Sequence, residues 1–187
     1  LQGNRTVNAG SDAAYLELLN FVKTHDMADP GNYRYVTERM NVQSYCDYLI
    51  SEAYCGNQDS GNIRFFRSPD YDGGRFHWIV YDVDLGFQNA AVPYGFYHIL
   101  NPDGTGAGNS LSTVLVNRLL KNPEFRATFI ERMAYLMQNV FTTDNLIAHI
   151  DRFEQILKPE IGRDLDKWGG SSGSWSSRGE GLRTFVR

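Results

Sequence analysis

The chain has 187 residues, of which 42% are hydrophobic and 13% aromatic, a composition that suits a packed core and argues against disorder. Its formal charge of −4 and pI near 5.5 leave no basic footprint for nucleic acid. No apolar run is long enough to span a bilayer. The opening LQGNRTVNAG lacks the basic and apolar regions of a signal peptide.

SDAAYLELLNFVKTH (11–25) reads as the first helix. Ser11 or Asp12 can cap it, and Leu16, Leu19 and Val22 share a face with Tyr15 and Leu18 beside them. After a break at ADPGN, Asn32–Met40 is a short helix and NVQSYCDYLISEAYCG (41–56) a stronger one. Val42, Tyr45, Cys46, Leu49 and Ala53 follow the helical period, and Gly56 supplies the stop. Cys46 and Cys55 lie on this helix about 13 Å apart along its axis, too far for a disulfide, and read as buried apolar residues.

Two short strands follow. Ile63–Phe66 alternates, Phe76–Val83 is rich in aromatic and β-branched residues, and SPDYDGG provides the reversal of a β-hairpin. Gln88 to about Asn109 is rich in Gly, Pro and Asn, and a loop of that length is functional or mobile. Its aromatic stretch VPYGFYH reads as packing. SLSTVLVNRLLKN (110–122), PEFRATFIERMAYLMQNVF (123–141, with Pro123 in the first turn) and TTDNLIAHIDRFEQIL (142–157, with a threonine cap) are helical. Another helix runs from Lys158-Pro159 toward Trp168; GGSSGSWSSRGEG reads as a flexible break before a final helical LRTFVR. The expected fold is mostly α with one small central hairpin, in a single domain over 1–187.

The chemistry concentrates at residues 57–87. Asn57, Asp59 and Asn62 precede the first strand, and Asp82 and Asp84 end the second. Residues two apart on a strand face the same way, so Asp82 and Asp84 are expected to project together. Antiparallel pairing sets the start of one strand beside the end of the other, which gathers the oxygen-bearing side chains at one edge. Paired carboxylates call for a cation, and Mg²⁺ suits such oxygen donors. Asp70 and Asp72 supply too few ligands for a calcium loop and are explained by the turn. The four histidines lack zinc spacing, and His77 and His149 read as structural. Arg118 and Arg126 are expected at the surface.

The order helix, Asp, Asn, strand, turn, strand, Asp84-Leu85-Gly86 follows the layout of a protein-kinase catalytic core. More specifically, GNQDSGNIRFFR followed by HWIVYDVDLGF resembles the spore-coat protein H (CotH) kinase family, an atypical branch of that fold. NRLLKNPEFRATFIERM, FTTDNLIAHID and PEIGRDLDKWG resemble the helices that follow there. The resemblance implies an α+β, atypical protein-kinase-like large lobe. Residues 57–87 would form the catalytic loop and metal hairpin, 88–109 a long loop, and 110–187 a helical subdomain. It also implies ATP-dependent phosphorylation of serine or threonine hydroxyls on surface or coat proteins, with an extracytoplasmic bacterial location. Asp59 would be the catalytic acid residue of the loop. Asn62 and Asp84 would bind the nucleotide–metal group, and Asp84, Asp82 and Asn62 would hold Mg²⁺ or another divalent cation such as Ca²⁺ or Mn²⁺. Asp84 is favoured as principal ligand by its Asp-x-Gly context.

The Asp59–Asn62 gap is shorter than in the Asp-x-x-x-x-Asn element of protein kinases. No sheet-forming small lobe precedes the first helix, so weak or absent ATP binding is expected of this chain alone. Both features favour a competing reading, a non-catalytic surface or coat module of the same fold that binds a metal or a protein partner.

Overall fold

The computed structural model describes residues 7–57, 63–88 and 111–187. Its elements are α1 (Ala13–Thr24), α2 (Pro30–Thr37), α3 (Val42–Cys55), β1 (Arg64–Phe66), β2 (His77–Ile79), α4 (Leu111–Leu119), α5 (Pro123–Asn139), α6 (Thr143–Leu157), α7 (Ile161–Trp168) and α8 (Ser172–Val186). They fall into two compact units. One spans Leu1–Gly86 and Ala91–Met133, the other Phe87–Ala90 and Ala134–Arg187. The mostly helical character and the two-stranded antiparallel sheet agree with the sequence reading.

Helix ends in the first unit sit where local chemistry directs them. Asp29 caps α2 by accepting from the Gly31 and Asn32 amides, and Pro30 opens the helix where its missing N–H costs nothing. Asn41 caps α3 through Ser44 N–H, and Gly56 ends it in the left-handed conformation, φ 62°. In α1 the buried face is Tyr15, Leu18, Leu19 and Val22, with Leu16 half-buried, and Ser11 accepts from the Ala13 amide. This helix packs on α4, where Leu115, Val116 and Leu119 are buried. The thiols of Cys46 and Cys55 are free and buried, as expected. Burial pushes them up to about 12 and about 11, so neither is a reactive thiolate.

The hairpin pairs Arg64 with Ile79, Phe65 with Trp78 and Phe66 with His77. Phe65 and Trp78 face inward. Phe65 meets Tyr15 of α1 at 4.3 Å, and Trp78 meets Tyr45 of α3 at 4.6 Å. The second edge of β2 is covered as well, since Ser44 accepts from the Trp78 amide and donates to its carbonyl. Nearby, the Asn41 amide donates to the Phe76 carbonyl, and the Phe76 amide donates to that of Arg39. A two-stranded hairpin is marginal alone, and these helices supply its missing partners.

Asp72 ties the hairpin turn to the start of α3. Its carboxylate receives the Arg75 guanidinium, the Asn41 amide (2.9 Å) and His77 Nε2 (2.6 Å). The Arg75 and Asn41 hydrogen bonds hold its carboxyl well below the usual carboxylate range. A carboxyl lowered in the folded state stabilises above its unfolded pKa of about 4, and that contribution is lost as pH falls through the lower native value. Asp72→Asn is therefore expected to be less stable than wild type at neutral pH, with the difference shrinking below about pH 4. Urea midpoints from pH 7 to pH 3 check this, and a difference independent of pH would contradict it.

Two expectations are corrected. First, the second strand was expected over Phe76–Val83 and ends at Ile79. β1 offers only three partners, and Asp82 has φ 56°, a left-handed conformation incompatible with a strand. Second, the serine- and glycine-rich segment expected as a break is helix α8 from Ser172 onward. Gly169 and Gly170, both at positive φ, confine the break, and Ser171 and Ser174 form a capping box.

Within the second unit α8 packs on α6 and α7. Arg183 reaches Asp151 and Glu154 of α6, and Thr143 donates to the Val186 carbonyl. A Cβ at Gly179 would collide with the Glu154 carboxylate, so glycine permits the close approach. These contacts outweigh a weak intrinsic helix propensity. The expected single domain over 1–187 includes residues 1–6, 58–62 and 89–110, and the loop expected at 88–109 includes residues 89–109, all outside the described residues.

Candidate functional site

The first unit brings the end of α3 against the turn that follows β2. After Gly56, the buried Asn57 donates its backbone N–H to the Glu52 carbonyl at 3.2 Å. Its side-chain Nδ2 donates to Glu52 Oε2 at 2.8 Å and reaches the Asp82 carbonyl at 3.4 Å. Asn57 thus touches both the helix that precedes it and the chain beyond β2, two residues before Asp59 in the sequence.

The Asp82–Gly86 segment is a compact turn, closed by the Gly86 amide donating to the Val83 carbonyl at 2.9 Å. Gly86 is buried against the last residue of α3. A Cβ there would lie 2.9 Å from the Val83 oxygen and 3.1 Å from both Cys55 Cβ and the Cys55 oxygen. Only glycine lets the turn lie this flat on the helix end. Asp82 and Asp84 are exposed on the turn.

The strand-based expectation that Asp82 and Asp84 face one way does not carry over, because neither lies on a strand. The turn, with Asp82 at positive φ, decides where they project instead. Asp59 and Asn62 lie outside the described residues. Of the oxygen-bearing residues picked out in the sequence, Asn57 and Asp82 are brought together. His77 serves Asp72, and Arg126 donates to the Leu120 and Lys121 carbonyls at the end of α4.

Sequence reasoning missed Glu52. It sits three residues beyond Leu49 on the buried side of α3 and is itself 8% exposed. A carboxylate inside an apolar stripe was the available signal.

Asp82 and Asp84 present carboxylate oxygens at an exposed turn, donor chemistry that fits a hard divalent cation. Among the described residues no group of three His, Cys, Asp or Glu side chains could hold a metal ion. Mg²⁺ asks for less, taking one or two carboxylates and completing its shell with phosphate oxygens and water.

A family model described as CotH kinase protein matches residues 2–187. No curated protein and no solved structure matches the chain. No helix among the described residues is long and apolar enough to cross a membrane.

Proposed function

Because the chain belongs to the CotH kinase family, we propose that it acts as the large lobe of an atypical protein kinase, moving the γ-phosphoryl group of ATP to serine or threonine hydroxyls of surface or coat proteins. The observation that supports this most is the Asn57 side chain at the Asp82 carbonyl. It ties the chain leading to Asp59 to the turn that carries the two carboxylates.

In this reading Asp59 orients the acceptor hydroxyl and takes its proton. Asp84 and Asn62, assisted by Asp82, hold a divalent cation, Mg²⁺ or alternatively Mn²⁺ or Ca²⁺. Bound with ATP, the cation supplies neutralisation of phosphate charge. The protein's own contribution is positioning and fixed electrostatics, which dominate phosphoryl transfer. Residues 57–87 carry the working hairpin, and 110–187 the helical support.

The test is phosphoryl transfer from γ-labelled ATP to a serine- and threonine-bearing protein acceptor by the full-length kinase that contains this large lobe, with and without Mg²⁺. Label on hydroxyl residues that vanishes with chelator is expected. Nucleotide binding without any transfer would replace this reading with that of a non-catalytic surface module.

A further inference from the structure

Among the described residues, the functional reading leaves the buried carboxylate of Glu52 unused. Glu52 lies on α3, one turn before its end, in a region whose other buried residues include Tyr48, Leu49 and Cys55. Taking a carboxylate out of water is costly, and an apolar residue of similar size would fill the position without that cost. The helix end does not require it, since Gly56 provides the stop. The charge is felt locally: after burial itself, the Glu52 carboxylate is the next cause raising the Cys55 thiol.

What the carboxylate does is hold Asn57. The same Asn57 Nδ2 that donates to Glu52 Oε2 at 2.8 Å also reaches the Asp82 carbonyl at 3.4 Å. With Nδ2 drawn toward both oxygens, the amide plane is oriented and the side chain cannot swing out. Gly86, seated on Cys55, fixes the other end of the turn to the same helix. The Asp82–Gly86 turn is therefore anchored at both ends to the last turn of α3. One anchor is backbone packing, and the other passes through a side-chain relay from Glu52.

We propose that Glu52 is a positioning residue of the phosphoryl-transfer site, orienting Asn57 so that it holds the Asp82 carbonyl and sets the Asp82–Gly86 turn against the chain entering Asp59. The inference rests on the functional reading above. Glu52 acts here through Asn57, whose Nδ2 its Oε2 holds.

The experiment compares four variants made in the full-length kinase that contains this large lobe, Glu52→Asp, Glu52→Gln, Asn57→Ala and the double Glu52→Asp/Asn57→Ala, with activity normalised to the folded fraction. Asp keeps the charge and falls one methylene short; Gln keeps the reach and an acceptor oxygen. Glu52→Asp and Asn57→Ala are expected to lower kcat by about 10–100-fold, as loss of an orienting partner does elsewhere. KM for nucleotide should change little. Glu52→Gln should recover most of the loss, and the double variant should be no worse than either single, because both act through one link. Folded Glu52→Asp and Asn57→Ala with wild-type kcat, or losses that multiply in the double, would overturn the inference.

Asp84→Asn run alongside separates the two levels. Transfer surviving in Asp84→Asn overturns the functional reading. Transfer lost there but intact in Glu52→Asp and Asn57→Ala overturns the Glu52 inference alone. Hydrogen exchange at the 82–86 amides reads the link without any activity. Faster exchange in Glu52→Asp and Asn57→Ala supports it, and unchanged exchange overturns it.

Discussion

Asparagine in place of Asp59 or Asp84 is expected to cut phosphoryl transfer by about 100-fold or more, with Asp84→Asn leaving the fold intact. Removing a general base costs about 10²–10⁴ in rate. Removing a charge that stabilises the transition state costs about 10²–10³. Asp84 is exposed, and exposed substitutions change stability by about 0.5 kcal/mol at most. Asn is the right replacement at Asp82 too, because it tolerates the left-handed backbone that Asp82 adopts while discarding the charge. Comparing Asp82→Asn with Asp84→Asn therefore ranks the two carboxylates as ligands. Labelled-phosphate transfer beside a thermal melt for each protein is the measurement. Wild-type rates in Asp59→Asn and Asp84→Asn would remove both residues from the chemistry.

Asn122→Ala is expected to carry the largest stability loss, about 1.5–5 kcal/mol. Asn122 is 2% exposed and makes contacts at both ends of its side chain. Its Oδ1 accepts from the Glu124 amide at 2.8 Å and the Phe125 amide at 3.2 Å, capping α5. Its Nδ2 donates to the Met27 carbonyl at 2.9 Å, far away in sequence, in the link between α1 and α2. Losing the cap costs about 0.5–2 kcal/mol. Leaving a buried carbonyl without its donor adds about 1–3 kcal/mol. Urea denaturation checks the sum, and a loss under about 0.5 kcal/mol, the range of ordinary surface changes, would contradict both the cap and the Met27 bond as sources of stability.

Residues whose partners are close in sequence were legible. Gly56, Pro123 and Thr142 mark helix ends by chemistry confined to a few neighbouring amides. Phe65 and Trp78 face the core because a strand alternates, whatever lies beyond it. The candidate site was legible in part. The Asn-x-Asp and Asp-x-Asp elements flank a hairpin in the sequence, and Asn57 does meet Asp82 in space. Their orientation was not legible. A strand ending at Ile79 and a turn at Asp82 are set by how far β1 runs and by Gly86 seating on Cys55.

Composition, caps and apolar spacing alone determined a mostly helical protein with one hairpin, free cysteines, and acidic residues collected around that hairpin. Tertiary structure alone decided that the serine- and glycine-rich stretch from Ser172 is a helix, held by Arg183 against Asp151 and Glu154. It also decided that Glu52 is buried against Asn57 and that Asp82 leaves the strand direction. The physical reason is common to all three. Each outcome depends on a neighbour whose arrival is governed by packing, and a local pattern of side chains carries no information about which distant groups will be there.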